Sequence, residues 1–273
     1  MSTPSNINQS SGPLRLAYDT GEYQFGELYL PAQAGPHAVA MLIHGGYWRA
    51  RFGLDLMDGL AQDLAGRGIA AWNIEYRRVG NPGGGWPGTF LDVARAADYL
   101  REIAVRYELD LSKLVPIGHS AGGHLALWLA ARSRILPQSP IAPREQPISL
   151  AGAISLAGVL DLHLAYQLHL SNDAVVELLG ARPDEAPERY AAASPAALLP
   201  LGVPQVLIHG TTDTNVPIQV SQQYAAAARA AGDQLRFFEP AGVDHFAVIT
   251  AETEVWALTM RELLQLLEEK KFT

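Results

Sequence analysis

Apolar residues along this chain come in two rhythms. Short solid runs, from Ala38 to Ile43, Ile69 to Tyr76, Leu114 to Ile117, Leu150 to Leu156, Val206 to Ile208 and Leu235 to Phe238, read as strands. Their continuous apolar character is that of strands buried on both faces. Between these runs apolar positions recur every three or four residues, which predicts helices. Met57, Leu60, Ala61 and Leu64 mark one helix, closed by Gly66 and Gly68. Phe90, Val93, Ala97, Leu100 and Ala104 line a longer one, Gly122 to Arg132 forms another, and Val216-Pro217 starts one running to about Ala231. Trp256, Met260, Leu263, Leu264 and Leu267 line the last. Strands alternating with helices predict an α/β fold, a mainly parallel sheet covered by helices on both faces. Leu14 to Leu30 alternates in period two, which predicts an antiparallel edge.

Two stretches depart from the alternation. Residues 1–13 are polar and read as a flexible lead-in. Residues 160–200 carry His163, Tyr166, His169 and four prolines among broken helical fragments. They read as a small cap inserted over the carboxyl ends of the strands, where α/β sheets place their sites. With 273 residues and 48% hydrophobic content, the expectation is a single domain, 1–273.

Charge and cysteine usage narrow the partners. A formal charge of −8, with a sequence pI near 5.5, argues against nucleic acid or an anionic membrane. The absence of Cys rules out disulfides and thiolate metal sites and suits a reducing compartment. With no signal-like or membrane-spanning apolar segment, the expectation is a cytoplasmic protein. No histidine pair or carboxylate cluster has metal-ligand spacing, so neither metal nor cofactor is expected.

The chemistry centres on Gly118-His119-Ser120-Ala121-Gly122, set between a strand and a helix. This is the Gly-x-Ser-x-Gly pattern of a nucleophile elbow, with Ser120 at its apex. A serine hydroxyl needs a base to take its proton and an acid to orient that base. Asp213 directly follows the Val206 to Ile208 run, and His245 follows Leu235 to Phe238. The order Ser, Asp, His is that of α/β hydrolases. Asp161 and Asp244 are the rival acids; Asp161 also follows a strand, whereas Asp244 adjoins the base and would point elsewhere. His119 and His124 are expected to pack or hydrogen-bond beside the elbow.

An acyl-transfer intermediate also needs N–H donors for its oxyanion. Ala121 supplies one amide, and Gly45 and Gly46 of His44-Gly45-Gly46-Tyr47-Trp48 supply the others, with His44 bracing the loop. Tyr47, Trp86 and Tyr166 are candidate walls of the substrate pocket; Trp48 is either a wall or a core pillar.

These motifs resemble those of esterases and lipases related to hormone-sensitive lipase, and His-Gly-Gly-x-Trp at 44–48 is similar to the motif of kynurenine formamidases (arylformamidases). The resemblance runs from about Gly26 to the C-terminus. It implies an α/β-hydrolase fold, Ser120 as nucleophile, Asp213 and His245 as its partners, and the Gly45, Gly46 and Ala121 amides as oxyanion hole. Tyr47 stands where lipase-like relatives carry a third Gly. The expected activity is hydrolysis of short-chain acyl esters, with a small-molecule ester or formamide as substrate. Arylformamidase, peptidase and non-catalytic binding protein are the alternatives. A homodimer through the last helix or the edge strand is left open.

Overall fold

The computed structural model describes residues 12–268. Most of the lead-in predicted over residues 1–13 therefore lies outside the described residues. Eight strands form one sheet: β1 (Leu14–Ala17), β2 (Phe25–Tyr29), β3 (His37–Ile43), β4 (Ala70–Ile74), β5 (Leu109–His119), β6 (Ala153–Leu156), β7 (Gln205–Ile208) and β8 (Leu235–Phe238). Their spatial order is β1-β2-β4-β3-β5-β6-β7-β8. The β1–β2 and β2–β4 pairs are antiparallel and every other pair is parallel. This is the α/β-hydrolase fold.

Period-two alternation along the central strands divides the core between the two faces of the sheet. Val39, Met41 and Ile43 of β3 enter one core, and Ala40 and Leu42 enter the other. The first core is covered by α2 (Gly88–Ile103), α3 (Ala121–Ala131) and α7 (Gln219–Ala230). The second is covered by α1 (Asp58–Gly66) and α8 (Glu254–Glu268). Every residue of α3 is buried, as expected for a helix apolar on all sides.

Three of the boundaries that differ from the sequence reading have a local cause. β5 begins at Leu109, upstream of the apolar run, because His37 and Glu108 extend the pairing with β3 through a bulge. β6 starts at Ala153, since Leu150 and Ala151 approach β5 only through a single bond from the Ala151 amide to the Leu114 carbonyl. The first turn after Pro217 precedes α7, which begins at Gln219.

Residues 160–200 form three short helices, α4 (Leu162–Gln167), α5 (Ala174–Leu179) and α6 (Pro187–Ala193), and a 3-10 turn at Pro195–Leu198. Leu162, Val175, Leu178, Leu179 and Tyr190 join the α2–α3 core. The carbonyls of Ala192 and Ala193 lie 3.1 Å from Trp128 Nε1 and 2.8 Å from His124 Nε2, pinning the segment to α3.

Candidate active site

The strand-to-helix turn at Ser120 is as tight as its glycines imply. A Cβ at Gly118 would fall 1.9 Å from the Gly122 carbonyl oxygen, and one at Gly122 would fall 1.9 Å from that of Ile43. Ser120 itself adopts φ 55, ψ −117, a strained conformation that persists only where surroundings impose it. Here its amide donates to the Leu156 carbonyl at 2.8 Å and its carbonyl accepts from the His124 amide at 3.1 Å. The first amides of α3, beginning with Ala121, have no partner within the helix and carry its positive end.

The loop after β3 lies directly against this turn. A Cβ at Gly45 would fall 2.9 Å from His119 Nδ1 and 3.0 Å from Ser120 Cβ. Only glycine lets that backbone approach the serine so closely. Gly46 has φ 109, followed by Tyr47 at φ 51 and Trp48 at φ 57. Two successive non-glycine residues in the left-handed region need external support. Part of it comes from His44, buried and stacked on Tyr76 at 4.4 Å. His44 Nδ1 is 2.8 Å from the Gly45 carbonyl and Nε2 is 3.0 Å from Glu75 Oε1. Burial opposes ionisation of Glu75, but His44 and Arg78 outweigh it and hold the carboxyl below its ordinary range. Arg49 supplies a second anchor, donating to both carboxylate oxygens of Glu177 and to the Oγ and carbonyl of Ser171.

Asp213 and His245 meet across the ends of β7 and β8. His245 Nδ1 lies 2.6 Å from Asp213 Oδ2. Asp213 Oδ1 accepts from the amides of Asn215 and Val216 at 2.8 and 2.9 Å. A further contact escaped sequence reasoning: His209 Nε2 is 3.2 Å from Asp213 Oδ2 and 2.9 Å from the Val216 carbonyl. A carbonyl only accepts, so Nε2 carries the proton, and Nδ1 accepts from Ser221 Oγ at 2.7 Å. Burial works against the Asp213 carboxylate, yet the bonds from His209 and His245 prevail and hold it far below the usual carboxylate range. The signal in the sequence was a histidine at the end of β7, four residues before the acid. Of the rival acids, Asp161 caps α4 through the His163 and Leu164 amides, and Asp244 caps the turn at Phe246 and Ala247.

His119 joins these parts. Its Nε2 is 2.8 Å from the His245 carbonyl, and the two rings are 4.6 Å apart. Among the expected pocket residues, Tyr47 is half-buried and donates its hydroxyl to the Asn215 carbonyl at 2.5 Å. Trp48 is 1% exposed and its Nε1–H donates to His124 Nδ1 at 3.2 Å, the setting of a core pillar rather than a wall. Trp86 packs edge-on against Phe90 with Arg189 over its face. Tyr166 lines a surface depression with His163, Gln167, Arg182, Pro183 and Asp184. Phe246, unremarked in the sequence, is half exposed and sits edge-on to His245 at 5.3 Å. Among the described residues, no group of three His, Cys, Asp or Glu is placed to hold a metal, and no helix is long and apolar enough to cross a membrane.

The profile of one protein family, BD-FAE, matches residues 27–227, well over half of the chain. The chain belongs to the BD-FAE family. The matched BD-FAE region includes Gly45, Gly46, Ser120 and Asp213 and stops before His245. Comparison with curated proteins finds no match. Solved structures similar to this BD-FAE member include a truncated carbohydrate esterase from gut microbiota, 21% identical with TM-score 0.82, covering 98% of this chain and 100% of that one. A bifunctional GH43-CE protein of Bacteroides eggerthii is 22% identical with TM-score 0.77, covering 92% of this chain and 37% of that one. Esterase Est2 of Thermogutta terrifontis is 24% identical with TM-score 0.72, covering 94% of this chain and 90% of that one.

Proposed function

We propose that this protein is a cofactor-free serine esterase that hydrolyses short-chain acyl esters through an acyl-enzyme on Ser120. The observation that carries this reading is the meeting of four strand ends. A strained serine elbow lies against a glycine loop and is tied through His119 to a histidine that is itself paired at 2.6 Å with a carboxylate.

Because His245 Nδ1–H donates to Asp213, its Nε2 is free to take the Ser120 proton as Oγ attacks the ester carbonyl. The electron pair moves to the carbonyl oxygen, which the amides of Gly45, Gly46 and Ala121 stabilise. Collapse expels the alcohol, which receives the proton from His245. Water then repeats the sequence at the acyl-enzyme: His245 takes a proton from water, the acid leaves, and the proton returns to Ser120. Asp213 stays ionised throughout, as the bonds it accepts require, and stabilises the imidazolium.

Membership of BD-FAE and the likeness to proteins named as esterases support ester chemistry. The Thermogutta terrifontis esterase has been solved bound to propionate and to butyrate and phosphorylated by paraoxon. Those acids are short, and residues 160–200 form the kind of small cap that suits short acyl groups. The motif His44-Gly45-Gly46-Tyr47-Trp48 favours a second reading, an arylformamidase acting on N-formylkynurenine.

The test is kcat/KM for p-nitrophenyl acetate and for N-formylkynurenine, with Ser120→Ala as the blank. Fast ester turnover lost in the variant supports the esterase. A formamide kcat/KM well above that of the ester transfers the reading to arylformamidase, since specificity is differential transition-state binding. Full activity of Ser120→Ala would sink both.

A further inference from the structure

The mechanism above leaves one fully buried titratable group beside the nucleophile without a task. His119 precedes Ser120, is 1% exposed, and lies among the parts that must keep register: the elbow, the glycine loop and the His245 loop. Its partner is a backbone carbonyl, which only accepts, so Nε2 carries the proton and donates it to His245. That leaves Nδ1 a bare acceptor, buried and without a hydrogen-bond partner. Such an acceptor is costly in a protein interior. An apolar side chain would remove that cost, but it would also lose the one bond from the elbow strand to the carbonyl of the proposed base.

The other side of the ring fixes a second distance. The Cβ position of Gly45 falls 2.9 Å from His119 Nδ1, so imidazole and glycine loop are in contact. Phe246 packs beside it, its ring 5.8 Å from that of His119. Burial and the neighbouring His245 hold the His119 imidazole neutral, down to about 3, so no second positive charge faces His245 during turnover.

We infer that His119 is a positioning residue: by donating Nε2–H to the His245 carbonyl while its other edge abuts Gly45, it sets the spacing between nucleophile, base and oxyanion loop. It touches no reacting atom and exchanges no proton with substrate. This rests on the serine-esterase reading. It predicts that His119 matters to the reactivity of Ser120, where an apolar ring or chain of similar volume does not suffice.

The experiment compares His119→Gln and His119→Leu by the rate at which paraoxon phosphorylates Ser120, read from the stoichiometric burst of p-nitrophenolate. The KM for p-nitrophenyl acetate and the melting temperature are measured alongside. His119→Leu is expected to slow phosphorylation about a hundredfold, the usual consequence of an ångström of misplacement, with KM within about threefold. His119→Gln, whose Nε2–H can reach the same carbonyl, is expected to recover to within about fivefold of the wild-type rate, again on positioning grounds. Should His119→Leu not fold, His119→Asn, with an amide too short to reach, takes its place. A folded Leu or Asn variant labelled at the wild-type rate overturns the inference, whatever its melting temperature. A Gln variant as slow as Leu, with unchanged stability, overturns it too. A wild-type protein that neither forms the adduct nor hydrolyses esters is a distinct outcome: it removes the esterase reading itself, and this inference with it.

Discussion

The hydroxyl of Tyr47 reaches from the loop after β3 to the carbonyl of Asn215, 2.5 Å away in the loop after β7. The two loops carry the proposed oxyanion donors and the proposed acid, so this phenol is a tie across the site. Burial and the charge of Asp213 push its pKa up to about 12, keeping it a donor at any working pH. Tyr47→Phe removes one hydrogen bond, about 1 kcal/mol, which for a domain of this size lowers the melting temperature by about 2–4 °C. Calorimetry checks that figure. Tyr47→Ala also removes the ring, and the ratio of kcat/KM for p-nitrophenyl octanoate over acetate is expected to rise; an unchanged ratio would show that the tie does not bound the substrate.

Gly45→Ala tests how closely the glycine loop must lie. The new methyl would fall 2.9 Å from the His119 carbonyl and 3.0 Å from Ser120 Cβ, so backbone must move away from the serine. If the Gly45 and Gly46 amides hold the oxyanion, kcat falls about 10²- to 10³-fold, the cost of losing one such donor. Steady-state kinetics on an ester then show the loss in kcat rather than KM.

Asp213 links activity to acid stability. Its folded pKa lies below the unfolded value of about 3.9. Its carboxylate therefore stabilises the fold above that value, and the contribution is lost as pH falls from there through the folded pKa. If Asp213 is the acid of the proposed triad, Asp213→Asn costs about 10⁴-fold in kcat. It should also lower the melting temperature at pH 7, with the deficit shrinking below about pH 4, the range in which a free carboxyl takes up its proton. Melting curves at pH 7 and 3.5 read this directly.

Buried neutral histidines act in a higher window. Desolvation lowers His119 to about 3 and His124 to about 4. Both folded values lie below the unfolded one, so the unfolded chain binds the extra protons. The contribution of these two groups to stability is constant above about pH 6.5 and falls below it by about 1.4 kcal/mol per pH unit for each. His124→Gln can keep the bonds to Trp48 and Ala193 without titrating. It is expected to recover about half of the loss in urea midpoint between pH 7 and 5.

The sequence exposes what depends on neighbours in the chain. Gly118, Ser120 and Gly122 announce the elbow because the turn is local, and solid apolar runs mark β3, β5 and β7 because both faces of those strands are covered. What stayed hidden depends on distant pairs. The bond from His119 to the His245 carbonyl joins positions 126 residues apart, and no spacing rule reports it. His209 is a lone histidine until the chain folds back at Val216 and sets its ring against Asp213. The sequence does not separate pillar from wall at Trp48, because both roles take the same residue; only the approach of His124 from α3 decides it. Residue type alone groups Trp86 and Tyr166 with Tyr47; the fold packs Trp86 on Phe90 and sets Tyr166 at a depression on the inserted helices.

α3, buried in all eleven residues, has a consequence for how the protein fails on warming. Beyond its first turn, which faces the proposed oxyanion site, its amides can meet solvent only when the whole sheet opens, so they belong with the slowest-exchanging hydrogens of the molecule. α4, α5 and α6 are one or two turns each, and Arg49, their tie to the glycine loop, is itself partly exposed. Deuterium should therefore enter residues 160–200 well before the helix behind Ser120. Turnover that declines ahead of the main heat-absorption peak would then mark a reversible loosening around an intact serine, restored on cooling.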